Sequence, residues 1–381
     1  MKTEFNENAK LALDRLSVGY HGKALIKEIT LSLKPGEILT LIGPNGSGKT
    51  TILKSISKQL ASIGGVVAID GRDMRKMSGK DVSQKMAAVL TERVRPELMT
   101  CRELVAAGRY PYTGSFGLLT EKDKEIVANA LKMVRASDIA ERDVSEISDG
   151  QRQRILLARA ICQEPEIIVL DEPTSYLDVR HKVELLEILR DMAKRRNITV
   201  VMSLHEIDLA EKISDKIVCV KGERIAGYGT PDEIFTDEKI AELYDMERGS
   251  YNALFGCVEL AKPHGEPRCF AVSGGGYGVP YYRALQKKGV PFAAGILFAN
   301  DADCAVARAL AENTVIAEAF SPIKEEQIQK AKQLIGSVNA VINTGCPVGS
   351  FNQANAELLE YAREKGKMMI SSLQELAEVE L

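Results

Sequence analysis

The chain has 381 residues, 45% hydrophobic and 27% charged, with a formal net charge of −3. That length predicts two domains rather than one, and the near-neutral balance gives no reason to expect nucleic acid as a partner. No run approaches the roughly 18 apolar residues of a membrane span, so any membrane role comes through a partner.

The N-terminal MKTEFNENAK carries no apolar leader segment. The seven cysteines are widely spaced, with no C-x-x-C or Cys/His cluster, which argues against a zinc site or a disulfide framework and for the cytosol. Residues 11–42 read as short strands with turns, ending in the apolar run Ile38-Leu39-Thr40-Leu41-Ile42. Then comes Gly43-Pro44-Asn45-Gly46-Ser47-Gly48-Lys49-Thr50, followed by Thr51 and a helix-compatible stretch. This is G-x-x-x-x-G-K-[ST] between a strand and a helix. Its glycines let backbone N–H groups converge on nucleotide phosphates, Lys49 reaches the β- and γ-phosphates, and the Thr50 hydroxyl joins a Mg²⁺ shell. The helix that follows turns its positive end to the same anion.

Further strands are expected at 64–69 and 86–90, the latter ending at Thr91-Glu92, and residues 97–145 are mostly helical by period. Ile147-Ser148-Asp149-Gly150-Gln151 precedes another helix, where a serine hydroxyl and free N–H groups suit a second anion grip. Ile167-Ile168-Val169-Leu170 reads as a buried parallel strand. Asp171 and Glu172 abut it, at a cost unless a cation or substrate uses them. Ser175-Tyr176-Leu177-Asp178 follows, and His205 lies just past the strand 198–203.

The order and spacing of these segments resemble an ABC-transporter ATPase subunit over the first 248 residues. The resemblance begins with LSVGYHGKALIKEITLSLKPGEILTLIGPNGSGKTT. It implies an ABC ATPase domain with a P-loop core sheet, an antiparallel β subdomain and a helical subdomain that meets a permease. It further implies that Tyr20 stacks on adenine and that Gly43, Asn45, Gly46, Gly48, Lys49, Thr50 and Thr51 hold ATP. Ser148, Gly150 and Gln151 would grip the ATP of a second copy, with Asp178 in the D-loop. Asp171 would orient Mg²⁺, Glu172 would activate the attacking water, and His205 would bond the γ-phosphate. Glu92 stands where glutamine is usual, facing Mg²⁺ and the water. Asp149 replaces the usual glycine and should point away from phosphate. Gly108-Arg109-Tyr110-Pro111-Tyr112 resembles the subgroup that imports iron chelates and cobalamin.

Residues 249–267 read as a linker with one strand at most, and 268–381 as alternating strands and helices. That alternation predicts a small open parallel sheet, a Rossmann-like domain, for which the working hypothesis is a regulatory small-molecule sensor. Asp303 is the expected N-cap of the helix containing Val306 and Leu310, and Ser321-Pro322 is expected to open a long helix. The loop Ser273-Gly274-Gly275-Gly276-Tyr277-Gly278 has Val279 where a dinucleotide fingerprint has its third glycine. It is either a structural turn or a small-molecule loop.

The expectation is thus an ATP- and Mg²⁺-dependent homodimeric ATPase, peripheral on the cytoplasmic face of the inner membrane. Its partners would be permease subunits and, indirectly, a substrate-binding protein. The alternatives are a soluble non-transport ABC ATPase and a dinucleotide-dependent enzyme with an ATPase attached.

Overall fold

A computed structural model describes residues 8–90, 98–113 and 117–381. The chain divides into two compact units, one ending at Phe235 and the next beginning at Thr236. The boundary falls before 248 because the helix at 237–243 packs on the hairpin that follows it.

The first unit contains β1 (Leu11–Tyr20), β2 (Lys23–Leu33), β3 (Ile38–Ile42), α1 (Lys49–Ile56), β4 (Gly64–Ile69), β5 (Arg72–Asp73), α2 (Gly79–Lys85) and β6 (Met86–Val89). Helices α3 (Cys101–Ala106), α4 (Glu121–Met133) and α5 (Asp149–Cys162) come next. The unit closes with β7 (Ile167–Leu170), α6 (Val179–Arg196), β8 (Thr199–Ser203), α7 (Ile207–Ile213), β9 (Lys216–Lys221), β10 (Arg224–Gly229) and α8 (Pro231–Ile234). One antiparallel sheet has the order β2-β1-β4-β5. The other, in the order β10-β9-β3-β8-β7-β6, is parallel except for its β9–β10 edge.

Strands β3, β7 and β8 are buried along their whole length, as parallel strands covered on both faces must be. Their register pairs Leu170 with Met202 and Leu41 with Ser203. The chain therefore leaves all three strands at one edge of the sheet, and the chemistry-bearing loops begin there.

Buried Arg109 fastens the helical part. It donates to Asp123 and Glu164 at 2.8 Å and to the Cys162 carbonyl at 2.9 Å, with its guanidinium 4.1 Å above the Tyr112 ring. A Cβ on Gly108 would stand 2.3 Å from the Arg159 carbonyl oxygen, so only glycine lets α5 come this close. Much of the Gly108–Tyr112 phrase is thus accounted for by packing.

The second unit contains α9 (Asp237–Leu243), β11 (Ser250–Asn252), β12 (Cys257–Glu259), β13 (Cys269–Val272), α10 (Val279–Lys288), β14 (Phe292–Phe298), α11 (Ala302–Leu310) and β15 (Asn313–Ala317). It ends with α12 (Glu325–Ser337), β16 (Ala340–Asn343), α13 (Gln353–Glu364), β17 (Met368–Ile370) and α14 (Leu373–Glu378). The stretch expected as a linker holds the antiparallel hairpin β11–β12. The main sheet, in the order β15-β14-β13-β16-β17, is wholly parallel. Along β13, Cys269 and Ala271 join one apolar cluster and Phe270 and Val272 the other. Helices therefore cover both faces, as in a Rossmann-like unit.

Two local expectations are corrected. Asp301, not Asp303, caps α11, because its carboxylate accepts the Asp303 N–H at 2.9 Å. The Asp303 carboxylate instead accepts the N–H groups of Gly278 and Val279 at 2.8 and 3.0 Å. Ser321-Pro322 opens no helix, since α12 begins at Glu325 after a turn with Phe320 at φ 57°.

Candidate nucleotide site

The 43–50 loop departs from β3 through backbone that ordinary residues resist. Gly43, Gly46 and Gly48 have φ of 144°, 75° and 100°, in or near the left-handed region that glycine enters without steric cost. A Cβ on Gly43 would also lie 2.1 Å from the Val220 carbonyl oxygen. Lys49 is buried and donates to the carbonyls of Gly43 and Pro44 at 2.8 and 2.9 Å. Burial pushes its ammonium below its ordinary value, against the opposing pull of Glu172 and Asp171. The Ser47 hydroxyl in the same loop is buried and has no hydrogen-bond partner among the described residues. A buried ammonium bonded to two carbonyls and an orphaned hydroxyl beside it suit a loop that binds an anion.

The three strand ends meet through side chains. Thr50 Oγ1 donates to Asp171 Oδ2 at 2.9 Å, and Ser203 Oγ donates to Asp171 Oδ1 at 2.7 Å. The Glu172 N–H donates to the same Ser203 oxygen at 2.9 Å. His205 Nε2 lies 2.6 Å from Glu172 Oε1, and Ser175 Oγ donates to Glu172 Oε2 at 3.2 Å. Thr51 Oγ1 donates to the Tyr20 hydroxyl at 3.4 Å, and that tyrosine remains 46% exposed.

Among the described residues no cluster of three or more His, Cys, Asp or Glu side chains is arranged to hold a metal. Mg²⁺ is usually held by one or two carboxylates together with substrate phosphates. Thr50 and Asp171 offer hard oxygen donors side by side and fit that ion. Thr91 and Glu92 lie outside the described residues.

Ser148, Gly150, Gln151, Tyr176 and Asp178 line an open cleft of 560 Å³ of their own. Ser148 caps α5 in a reciprocal pair with Gln151, whose N–H it accepts at 3.2 Å and whose side chain accepts the Ser148 N–H at 3.0 Å. Asp149 is exposed and pairs with Arg152 at 3.0 Å. Asp178 caps α6 by accepting the His181 N–H at 2.9 Å. The sequence-predicted residues thus form two groups, one around the 43–51 loop and one around Ser148. Sequence reasoning gave no role to Ser203, or to Ser47 and Ser175, which stand within the 43–50 and 175–178 motifs. The signal at Ser203 is a polar residue directly after the apolar run Val200-Val201-Met202.

The fold and the 43–50 loop define a P-loop nucleoside triphosphatase cassette. Comparison with known proteins is specific. The ABC transporter family profile matches residues 26–175, and the MJ0874 family profile matches residues 292–379. The chain is 43% identical over 278 residues to the ABC transporter ATP-binding protein MJ0873 of Methanocaldococcus jannaschii, covering 73% of this chain and 96% of that one. It is 35% identical to the iron(3+)-hydroxamate import ATP-binding protein FhuC of Bacillus subtilis, covering 62% and 88%. It is 31% identical to the cobalamin import ATP-binding protein BtuD of Halobacterium salinarum, covering 77% and 75%. Among solved structures, an inward-facing metal-chelate-type ABC transporter superposes with a TM-score of 0.55 at 27% identity, covering 62% and 89%. A dimeric bacterial ABC transporter cassette does so with 0.53 at 25%, covering 58% and 98%. The chain belongs to the ABC transporter ATP-binding proteins, a family of ATPases, and carries an additional C-terminal α/β unit.

Proposed function

We propose that this chain is the ATP-hydrolysing subunit of an importer, and that it couples ATP binding and hydrolysis to uptake of a metal chelate through a membrane permease. The cargo class is a ferric siderophore, haem or cobalamin. The observation that carries the proposal is the Thr50–Asp171–Ser203–Glu172 network beside a buried lysine. The relatives' names point to siderophore and cobalamin import. No described helix is long and apolar enough to cross a membrane. The working place proposed, from the import names of the relatives, is the cytoplasmic face of the inner membrane, beside a permease.

Two copies would enclose two ATP molecules, each between the 43–51 loop of one and the Ser148–Gln151 turn of the other. The separate Ser148 cleft and the dimeric cassette structure support this arrangement. Lys49 would leave its carbonyl partners for the β- and γ-phosphates, and Tyr20 would stack on adenine. Mg²⁺ supplies charge neutralisation of the phosphate oxygens, and Thr50 and Asp171 are the residues that would hold it. Glu172 would take a proton from the attacking water once His205 turns from its carboxylate to the γ-phosphate.

Glu172→Gln should keep ATP binding and lose nearly all turnover, measured by equilibrium binding of a fluorescent ATP analogue and by phosphate release. Substantial remaining hydrolysis would refute Glu172 as the main base.

The C-terminal unit is read as a small-molecule sensor. Its glycine loop is already bonded by carboxylates: Asp301 accepts the Gly275 N–H at 2.8 Å, and Asp303 covers the first turn of α10. A phosphate there would displace one anion or face it. That favours a ligand without phosphate and disfavours a dinucleotide enzyme.

A further inference from the structure

Strand β8 runs Thr-Val-Val-Met-Ser, and all five residues are buried. An aliphatic residue would serve its last position equally well for packing, so a hydroxyl there must meet its hydrogen-bonding needs inside the protein. Ser203 is 0% exposed, and its hydroxyl serves two adjacent residues at once. It donates to Asp171 Oδ1 at 2.7 Å and accepts the Glu172 N–H at 2.9 Å.

Both bonds bear on geometry that local sequence does not fix. Asp171 has one oxygen on Thr50 and the other on Ser203, so α1 and β8 hold its carboxylate from two sides. Glu172 stands at φ 49°, a left-handed conformation that a non-glycine residue keeps only where its surroundings impose it. Its N–H would lack this acceptor if Ser203 were alanine. That turn also sets where the Glu172 side chain starts, and the side chain ends on His205, two residues beyond Ser203.

We propose that Ser203 is a positioning residue for ATP hydrolysis. Its hydroxyl orients the Asp171 carboxylate toward the metal position and fixes the backbone turn that aims Glu172. The inference rests on the roles proposed above for Asp171 and Glu172. Ser203 touches neither water nor nucleotide in this scheme; it acts through its two neighbours.

The test uses the full chain with Ser203→Ala, Ser203→Thr and Ser203→Val. Thr and Val have nearly the same shape, so that pair isolates the hydroxyl from packing. One hydrogen bond to a charged group corresponds to about a ten- to hundredfold effect. Ser203→Ala and Ser203→Val should lower kcat by that factor while KM for ATP stays within about threefold. Ser203→Thr should recover most of kcat. A second readout needs no turnover: the tightening by Mg²⁺ of fluorescent ATP-analogue binding should weaken in Ala and Val and persist in Thr.

Equal kcat and equal Mg²⁺ response in Thr and Val would overturn the proposal, as would a wild-type response in Ser203→Ala. If Glu172→Gln is inactive while Ser203→Ala is normal, this inference fails alone. If wild-type chain binds ATP without hydrolysing it, the ATPase reading fails and takes this one with it.

Discussion

Lys49 illustrates how a binding site stores its demand for a ligand in a single residue. Its ammonium is buried, its ordinary pKa is depressed by that burial, and its partners are two backbone carbonyls. Phosphate oxygens are far better partners for a desolvated cation than carbonyls are. Lys49→Ala should therefore weaken ATP binding by about ten- to hundredfold, the worth of a charged hydrogen bond. Glu172→Gln should leave binding intact, so the two variants separate affinity from turnover; unchanged affinity in Lys49→Ala would contradict the phosphate role. At this scale the motif residues were legible, because each is a residue type the chemistry requires at a fixed spacing. The bonds of Ser203 to Asp171 and Glu172 and the Glu172–His205 contact were not. A hydrogen bond between segments far apart in sequence leaves no local sign of its partner, and serine is common in every environment.

Among the elements, α4 shows a local signal read by tertiary structure. Thr120 and Asp123 form a capping box at its start, and Arg109 reaches the same carboxylate from another helix. The Thr120 hydroxyl, the Thr120 N–H and Arg109 hold the Asp123 carboxyl down to about 2. This lies below the ordinary unfolded value of about 3.9. The ionised cap therefore stabilises fully above about pH 4, and that contribution is lost as pH falls toward 2. Thr120→Ala should cost about 1 kcal/mol at neutral pH, and its deficit in urea midpoint should shrink below pH 4. A deficit that stays constant to pH 2 would contradict the assignment. Strand β7 was legible as an unbroken aliphatic run, and β3 and β8 as mainly apolar ones. The hairpin at 250–259 was not, since its strands are only three residues each. Ser321-Pro322 misled for the opposite reason: a sound capping pair stood where the chain turns instead.

On the scale of the whole molecule, two parallel sheets perform different tasks. In the first unit the carboxyl ends of β3, β7 and β8 collect the groups of a phosphate site. In the second, the corresponding loop after β13 is sealed by Asp301 and Asp303. Burial raises the Asp303 carboxyl above its ordinary value, with Asp301 adding to that. Titration of full-length Lys49→Ala protein should accordingly show no saturable binding of NAD⁺ or inorganic phosphate, while a ferric siderophore, which carries no phosphate, binds. NAD⁺ binding would contradict the sensor reading. The P-loop unit was legible from its motifs and the family resemblance, and the parallel α/β unit from its alternating strands and helices. The cargo was not, because the motifs read in the sequence serve nucleotide chemistry, which is the same whatever is carried.

The central claim is that this ATPase works on a membrane permease. Its most direct test is capture of the tagged full chain from detergent-solubilised native membranes, with partners identified by mass spectrometry. The expected result is a polytopic membrane protein in stable association with the chain. Recovery of soluble or ribosomal partners alone, from a preparation with intact ATPase activity, would contradict it and favour a non-transport ABC ATPase.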